Sequence, residues 1–384
     1  MAKAVIVDAA RTPFGRRNGW LSGHHPTHLL GFAQKGLLER NGLDPMAVDQ
    51  LIGGCVTQAG EQAGNVTRMA WLASGLPWEV GATTIDAQCS SGQHSVHLLA
   101  GLIAADAIGI GMATGVEAMS RIPLMSNFPG PTGRPKPDDW DLDMPNQFVG
   151  SDRIARDKGI TRQDLDEFGL RSQQLAKQAW DNGWLDRQIV PVPGATLGDG
   201  DVPATVNRDQ GLRDTSLEAL AALNPIDPER GLHTAGTSSQ ISDGAGALLI
   251  MSEEKAAEHG LKPRARIVAQ ALVGGPPKYV LDGPIQATQK VLDATGMSIS
   301  DLDLVEVNEA FASVAISLER HHKIDRDRLN VNGGAIAIGH PVGATGIRLF
   351  ATMIDELERR DATRGLVTIC AGGSMASAAI IERI

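Results

Sequence analysis

Residues 83–113 read TTIDAQCSSGQHSVHLLAGLIAADAIGIGMA, and this stretch indicates the fold class. Thr83–Asp86 has the composition of a strand, and Ile108–Ala113 predicts another. Between them, Ser90–Ala105 is rich in small and apolar residues and predicts a buried helix. A strand, a helix and a second strand in this order are typical of a parallel sheet covered by helices.

The C-terminal part of the chain repeats this order of elements. A helix is predicted over Thr345–Leu357, after a Gly-rich turn. The other predicted strands are Ala4–Asp8, Leu51–Val56, Asp243–Met251, Arg266–Ala271, Leu304–Val307, Leu329–Asn332, Leu366–Cys370 and Ala376–Ile381. Two such units predict a duplicated α/β fold.

The stretch between the two units has a different composition. Pro129–Pro145 is rich in Pro, Gly and Asp, and Arg162–Asn182 has the apolar spacing of an amphipathic helix. We interpret it as an inserted lobe over residues 119–240. The first half then comprises residues 1–118 plus 241–262, and the second half residues 263–384.

Charge and cysteine content exclude several classes of protein. The 384 residues carry a net charge of −10, which argues against a general nucleic-acid binder. The three cysteines form no CxxC pair, and such sparse use is typical of a reducing cytoplasm. The N-terminus lacks the features of a signal peptide, and no apolar run is long enough for a membrane span. We therefore expect a cytoplasmic protein that binds neither nucleic acid nor membranes.

The histidine clusters do not predict a metal site. His24, His25 and His28 lie close together, and His321 and His322 are adjacent. Neither group has an acidic partner in a recognised ligand motif. Solvated or capping histidines are the simpler interpretation, so we expect no bound metal.

Cys89 is the first candidate for chemistry. It follows a predicted strand and precedes a predicted helix, in the sequence DAQCSSG. Amides at a helix start stabilise a thiolate, so we expect this position to lower the pKa of the Cys89 thiol. The alternative is a buried structural cysteine, which is common.

His340 occupies the matching place in the second unit, in GGAIAIGHPVGATG. If the two units pack face to face, their helix starts converge, and a histidine beside a cysteine forms a base–nucleophile pair. The alternative is a histidine that caps the following helix.

Two further motifs end predicted strands. Cys370 is followed by Ala-Gly-Gly, and glycines there allow backbone N–H groups to face a ligand, as an oxyanion hole requires. Asn308 and Glu309 follow the strand Leu304–Val307, at the edge where ligands usually bind in α/β folds. Both residues could equally cap the next helix.

Together these motifs resemble the thiolase family, and the resemblance covers the whole chain. It also includes RTPFG from Arg11, GVEAMS from Gly115 and GHPVG from Gly339. The resemblance implies a five-layered αβαβα fold of two similar halves with an inserted loop domain, in a homodimer or homotetramer. It implies no permanently bound cofactor, with coenzyme A as co-substrate beside 3-ketoacyl-CoA and acetyl-CoA.

The resemblance also implies a role for each site residue. Cys89 would carry the acyl group, His340 would activate it and Cys370 would move a proton at the carbon next to the thioester. Asn308 would hold a water in one oxyanion hole, and the N–H groups of Cys89 and Gly372 would form the other. The residues implied to contact coenzyme A or substrate are Ser239, Arg213, Gln147 and Phe148.

The sequence departs from the family pattern around the acyl pocket. Ser374 and Ala376 replace glycines, Gln147-Phe148 replaces Met-Gly, and Gln240 replaces the Gly after Ser239. Several long segments resemble the bacterial steroid-degrading branch, which implies a bulky acyl group. The alternatives are a short-chain acetyl-CoA acetyltransferase making acetoacetyl-CoA, a non-catalytic acyl or lipid carrier and a Cys–His hydrolase.

Overall fold

The computed structural model describes residues 3–128, 133–229 and 231–384. Residues 129–132 of the predicted Pro129–Pro145 loop therefore lie outside the described residues. Within these ranges the strands are β1 (Ala4–Arg11), β2 (Gly15–Arg16), β3 (Gln50–Gly54), β4 (Gly81–Ile85), β5 (Ile110–Ala118), β6 (Val192–Pro193), β7 (Thr205–Val206), β8 (Ser242–Ser252), β9 (Ala265–Gly274), β10 (Leu304–Val307), β11 (Arg364–Ala371) and β12 (Met375–Arg383).

The helices include the three that the sequence predicts, Ser90–Ala105, Arg162–Asn182 and Thr345–Leu357, each within two residues of its expected bounds. They are α1 (Pro26–Asn41), α2 (Val66–Ala73), α3 (Ser91–Ala104), α4 (Gln147–Asp157), α5 (Arg162–Asp181), α6 (Leu217–Ala221), α7 (Glu253–Glu258), α8 (Pro284–Thr295), α9 (Ala312–His322), α10 (Ala335–Ile338) and α11 (Thr345–Arg359). None of the helices in the described ranges is both long and apolar enough to cross a membrane.

The main sheet consists of two halves, and four strands of the first half have the same order and directions as the four strands of the second. In the first half β4, β3 and β5 are parallel, and β8 and then β1 are antiparallel to their neighbours. In the second half β10 and β11 are parallel, and β12 and then β9 are antiparallel to theirs. The halves join where Val5 and Ile6 of β1 pair with Arg266 and Ala265 of β9. The predicted duplicated α/β fold is confirmed.

Helices α3 and α11 form the layer between the halves. Helix α3 packs on β3 and β5, whereas α11 packs on β1, on β11 and on α3 itself. Helices α1 and α2 cover the outside of the first half, and α8 covers the outside of the second. The order of layers is therefore the αβαβα arrangement expected from the sequence.

The first turns of α3 and α11 touch backbone to backbone. A Cβ atom at Gly92 would lie 2.6 Å from the carbonyl oxygen of Gly343, and one at Gly346 would lie 2.0 Å from the Gln93 nitrogen. Because only glycine tolerates such distances, these residues allow the two helix starts to meet. The chain segments that precede both helices are thereby brought to one place.

One predicted strand is wrong. Leu329–Asn332 forms only isolated bridges, from Leu329 to Val305 and from Val331 to Gly333. Asn330 adopts a left-handed backbone with φ of 46°, and its side chain bonds to the Val307 nitrogen at 2.8 Å and the Val307 oxygen at 2.9 Å. The side chain thus replaces the ladder hydrogen bonds that an extended strand would make.

Candidate active site

Cys89 sits on a tight turn between β4 and α3, and only 7% of its surface is exposed. Gln88 has a left-handed backbone with φ of 53°, and its N–H donates to Asp86 Oδ1 at 2.7 Å. Ser91 Oγ accepts from the Ala87 N–H at 2.8 Å and donates to the Gln88 oxygen at 2.5 Å. These bonds fix the direction in which Cys89 leaves the strand.

Two backbone N–H groups lie near enough to the Cys89 sulfur to affect its pKa. They belong to Gly372 and to Cys89 itself, and both lower the pKa of the Cys89 thiol. Burial acts in the opposite direction and is the largest effect, and it raises this pKa to about 12. The expected net lowering of this pKa is therefore wrong, because burial outweighs the effect of the backbone N–H groups.

Cys370 is the last residue but one of β11 and is fully buried. Burial, and then the negative charge that Cys89 carries when ionised, raise the pKa of the Cys370 thiol well above its ordinary value. The second effect requires the two sulfurs to be electrostatic neighbours. Cys89 and Cys370, which are far apart in the sequence, therefore lie near each other in the fold.

His340 follows α10 and precedes α11, and 4% of its surface is exposed. Its Nδ1 lies 2.7 Å from Thr345 Oγ1, whose own hydrogen goes to the Pro341 oxygen at 3.0 Å. The threonine oxygen must then accept, so Nδ1 carries the proton and Nε2 keeps a lone pair. Burial and the nearby Arg348 lower the pKa of His340 to about 3, so the imidazole is neutral.

Asn308 links its own strand end to this imidazole. Asn308 Nδ2 lies 3.3 Å from His340 Nε2, and its backbone N–H donates to the Thr368 oxygen at 3.0 Å. Its buried Oδ1 has no hydrogen-bond partner among the described residues. Since α9 begins only at Ala312, after Phe311 as its N-cap, Asn308 does not cap this helix. A buried amide oxygen of this kind can accept a hydrogen bond from water or substrate.

Glu117 joins the segments on either side of the site, and the sequence did not predict its role. Its buried carboxylate accepts from the N–H groups of Val56 at 3.0 Å, Thr57 at 3.0 Å and Gly343 at 3.1 Å. Gly343 lies three residues after His340, so Glu117 ties the histidine turn to the first half of the fold. In the sequence, the one indication of such a role was the position of a carboxylate within the otherwise apolar strand β5.

Glu309 fixes the other side of the histidine turn. Its carboxylate accepts from Ser172 Oγ at 2.6 Å, Asn330 Nδ2 at 2.9 Å and the Ile336 N–H at 3.2 Å. Ser172 belongs to α5 of the inserted segment, and Ile336 belongs to α10 immediately before His340. One buried carboxylate therefore connects α5 to the turn that carries His340.

Ser239 and Phe148 both pack against the segment that follows Asn308. The Ser239 N–H donates to the Ala310 oxygen at 3.0 Å. The Phe148 ring meets the Phe311 ring edge-on with centroids 5.5 Å apart. Both residues thus reach the neighbourhood of Asn308.

Arg213 is exposed, and its N–H donates to Gln173 Oε1 at 3.0 Å. The half-buried Gln147 is the first residue of α4 and directly precedes Phe148. Gln173 also donates to the Ile336 oxygen, so Arg213 lies near the end of α10, and Gln147 lies next to the Phe148–Phe311 ring pair.

Ser374 occupies a position that strains most residues. Its φ is 61°, next to Gly373 with φ of 73°, in the turn between β11 and β12. Its carbonyl oxygen accepts from the Gly275 N–H at 2.6 Å. The turn that presents Gly372 is therefore anchored to the segment after β9, and Ser374 is accommodated without loss of the turn.

The fold and this pair of cysteines with a neutral histidine define a class. Models of the thiolase N-terminal domain and thiolase C-terminal domain match residues 4–254 and 261–383. The chain therefore belongs to the thiolase family.

Individual relatives agree with this assignment over the full length. The chain is similar to the steroid 3-ketoacyl-CoA thiolase FadA6 of Mycobacterium tuberculosis, with 42% identity over 100% of this chain and 95% of the relative. It is also similar to the crystal structure of the Bacillus anthracis acetyl-CoA acetyltransferase, with a TM-score of 0.90, 36% identity and coverage of 100% and 99%. The crystal structure of human mitochondrial 3-ketoacyl-CoA thiolase in complex with CoA is similar as well, with a TM-score of 0.89 and 33% identity. The match covers 100% of this chain and 98% of the human chain.

Proposed function

We propose that this thiolase cleaves 3-ketoacyl-CoA with coenzyme A, giving acetyl-CoA and a shortened acyl-CoA. The observation that carries the proposal is that the N–H groups of Gly372 and of Cys89 itself lie near the Cys89 sulfur, with a neutral His340 held by Asn308 and Thr345 in the same half of the site. Both N–H groups are hydrogen-bond donors. Such donors are placed to stabilise an oxyanion that forms when this sulfur attacks a carbonyl carbon, and one is typically worth about 3 kcal/mol of barrier.

The first half-reaction begins with proton transfer from Cys89 to Nε2 of His340. The sulfur attacks the 3-keto carbon, and the negative charge on its oxygen meets the N–H groups of Cys89 and Gly372. The C2–C3 bond then breaks, and its electron pair passes into the enolate of acetyl-CoA. Protonated His340 and a water held by Asn308 stabilise the enolate oxygen, while Cys370 donates its thiol proton to C2.

The second half-reaction returns both protons. The thiol of a new coenzyme A gives its proton to the Cys370 thiolate and attacks the thioester on Cys89. Cys89 leaves and takes back the proton from His340. Two cysteines are required because one holds the acyl group while the other moves a proton. The order of events predicts ping-pong kinetics.

Coenzyme A would bind across the inserted segment. Ser239 and Phe148 contact the residues that follow Asn308, Gln147 directly precedes Phe148, and Arg213 supplies an exposed cation for a phosphate. The solved structure of a human relative in complex with CoA supports coenzyme A as a ligand of this chain. No other cofactor is needed, because the thioester stabilises the carbanion.

A bulky, steroid-derived acyl group is our proposal for the substrate. The similarity to the mycobacterial steroid thiolase supports it, as does the exposed aromatic ring of Phe148 beside Phe311. The short-chain alternative, acetoacetyl-CoA formation, is supported by the similarity to the acetyl-CoA acetyltransferase. We further propose a cytoplasmic homodimer or homotetramer.

The experiment compares straight-chain and steroid-bearing 3-ketoacyl-CoA substrates with the purified enzyme and coenzyme A. We expect acetyl-CoA and the shortened acyl-CoA in equal amounts, with a higher kcat/KM for the steroid thioester. Release of a free carboxylic acid instead would identify a hydrolase. A preference for acetoacetyl-CoA would support the short-chain alternative.

The role of Cys370 has its own test. Cys370→Ala should still form an acyl-enzyme from an activated thioester but should no longer exchange the α-protons of acetyl-CoA. Exchange at the wild-type rate would exclude Cys370 as the acid–base group.

A further inference from the structure

Gln240 connects the insert directly to the last turn before His340. Its Nε2 lies 2.8 Å from the Gly211 oxygen, 3.0 Å from the Ile336 oxygen and 3.0 Å from the Ala337 oxygen. Gly211 belongs to the inserted segment, whereas Ile336 and Ala337 belong to α10. One side-chain amide therefore joins two parts of the chain that are more than 100 residues apart in sequence.

These carbonyls need a donor from outside the helix. Helix α10 ends at Ile338, so the Ile336 and Ala337 oxygens have no later N–H group within the helix to accept from. Gln173 supplies a second donor, with its Nε2 3.3 Å from the Ile336 oxygen. The end of α10 is thus held by two glutamine side chains.

The backbone of Gln240 also contacts the catalytic histidine. The His340 N–H donates to the Gln240 oxygen at 3.2 Å, and Ser242 Oγ donates to the same oxygen at 2.9 Å. The side chain and the backbone of one residue therefore define both the helix end before His340 and the position of His340 itself.

The other end of the connection is the segment that carries Arg213. A Cβ atom at Gly211 would lie 2.6 Å from the Ala337 oxygen and 3.0 Å from Gln240 Nε2, so this backbone rests directly on α10. The Arg213 N–H donates to Gln173 Oε1 at 3.0 Å. Gln173 and Gln240 thus hold residues 211–213 and the α10 end as one unit.

We propose that Gln240 is a positioning residue that couples the seating of residues 211–213 on coenzyme A to the position of His340. The inference rests on the proposed function, because it takes Arg213 to contact coenzyme A. When coenzyme A holds Arg213, the Gly211 carbonyl is fixed, Gln240 is held against α10, and His340 is oriented for proton transfer. Coupling of this kind is reciprocal, so a correctly placed His340 turn also favours coenzyme A binding.

Gln240→Met tests the proposal, because it keeps the length of the side chain and removes its donors. We expect kcat to fall and KM for coenzyme A to rise, with kcat/KM down about tenfold, because carbonyls that lose their donor hold the turn less firmly. Gln289→Met is the matched control, since Gln289 is exposed on α8 and bonds only to Asp293 at 2.7 Å. Its kinetic constants should equal those of the wild type.

The double variant with Arg213→Ala separates coupling from a structural role. In the Arg213→Ala background, Gln240→Met should lower kcat/KM less than twofold further. A full tenfold loss in both backgrounds, or wild-type kinetics of Gln240→Met alone, would overturn the coupling. A wild-type enzyme without thiolytic activity would instead refute the proposed function.

Amide hydrogen exchange gives a measurement that does not depend on turnover. In the wild type, coenzyme A should slow exchange in peptides covering both 211–213 and 335–340. In Gln240→Met the protection should remain at 211–213 and be lost at 335–340. Equal protection of both segments in the variant would contradict the proposal.

Discussion

Asn308 Nδ2 lies 3.3 Å from His340 Nε2, and this contact joins the end of β10 to the turn before α11. The same imidazole is bound on its other nitrogen by Thr345, so His340 is held from both sides. The orientation and the tautomer of the proposed base are therefore set by two neighbours that undergo no chemical change themselves.

Thr345 should be required for the correct tautomer of His340. Thr345→Val keeps the shape of the side chain but removes the oxygen 2.7 Å from Nδ1. We expect kcat to fall about tenfold to a hundredfold with little change in KM, because a buried N–H group loses its acceptor. Thr345→Ser, which retains the hydroxyl, should recover most of the activity. Wild-type kcat in Thr345→Val would refute this role.

Glu117 should contribute to the free energy of unfolding, because its carboxylate accepts hydrogen bonds from two separate segments of the chain. Glu117→Gln places an amide group among three backbone N–H donors and leaves part of them without an acceptor. We expect a loss of about 2 kcal/mol in the free energy of unfolding, measured by urea denaturation. Glu254→Gln changes an exposed carboxylate and is the control. Equal stability of the two variants would show that the hydrogen bonds of Glu117 do not stabilise the fold.

The turn at Gln88 allows a test of backbone conformation. Its φ of 53° is easy for glycine and unfavourable for alanine. The free energy of unfolding in urea should therefore be about 1 kcal/mol lower for Gln88→Ala than for Gln88→Gly. At positions with negative φ the order is the reverse, because alanine reduces the entropy of the unfolded chain. If the alanine variant is the more stable one, the turn does not retain its left-handed backbone in solution.

His97 should make stability depend on pH. Burial lowers its pKa in the folded state to about 3, below the ordinary value of 6.5. The unfolded chain therefore binds the proton first, and stability present above pH 6.5 is lost as the pH falls toward 3. Between pH 7 and pH 5 the titration of this histidine should lower the free energy of unfolding by about 2 kcal/mol.

The variant His97→Phe should remove this part of the pH dependence. Unfolding by urea at pH 7 and pH 5 measures it, with the exposed His259→Phe as the control. The difference between the two pH values should shrink by about 2 kcal/mol in His97→Phe only. An unchanged difference would mean that His97 is protonated in the folded protein.

The sequence predicted the elements better than the contacts between them. Periodicity and composition placed β10 at Leu304–Val307 and α11 from Thr345, because local residue patterns decide these elements. The strand at Leu329–Asn332 failed because the Asn330 side chain takes over the backbone bonds of Val307. When a side chain replaces the hydrogen bonds of a strand in this way, the pattern of apolar residues in the sequence does not reveal it.

The site was predicted only in part for a similar reason. Cys89, His340 and Cys370 stand in recognisable motifs, whereas Glu117, Thr345 and Gln240 act through carbonyls and N–H groups supplied by distant segments. These partners are brought together only by the packing of α3 against α11 at Gly92 and Gly346, which the sequence does not show. The raised pKa of Cys89 was missed because burial depends on the same packing.

The central claim is that Cys89 carries the acyl group in a pocket shared with His340 and Cys370. The most direct measurement is mass spectrometry of the intact enzyme and its peptides after incubation with a 3-ketoacyl-CoA in the absence of free coenzyme A. We predict one acyl group per chain, located on Cys89, absent from Cys89→Ala and released by added coenzyme A. An acyl group on another residue, or full thiolytic activity in Cys89→Ala, would contradict the account.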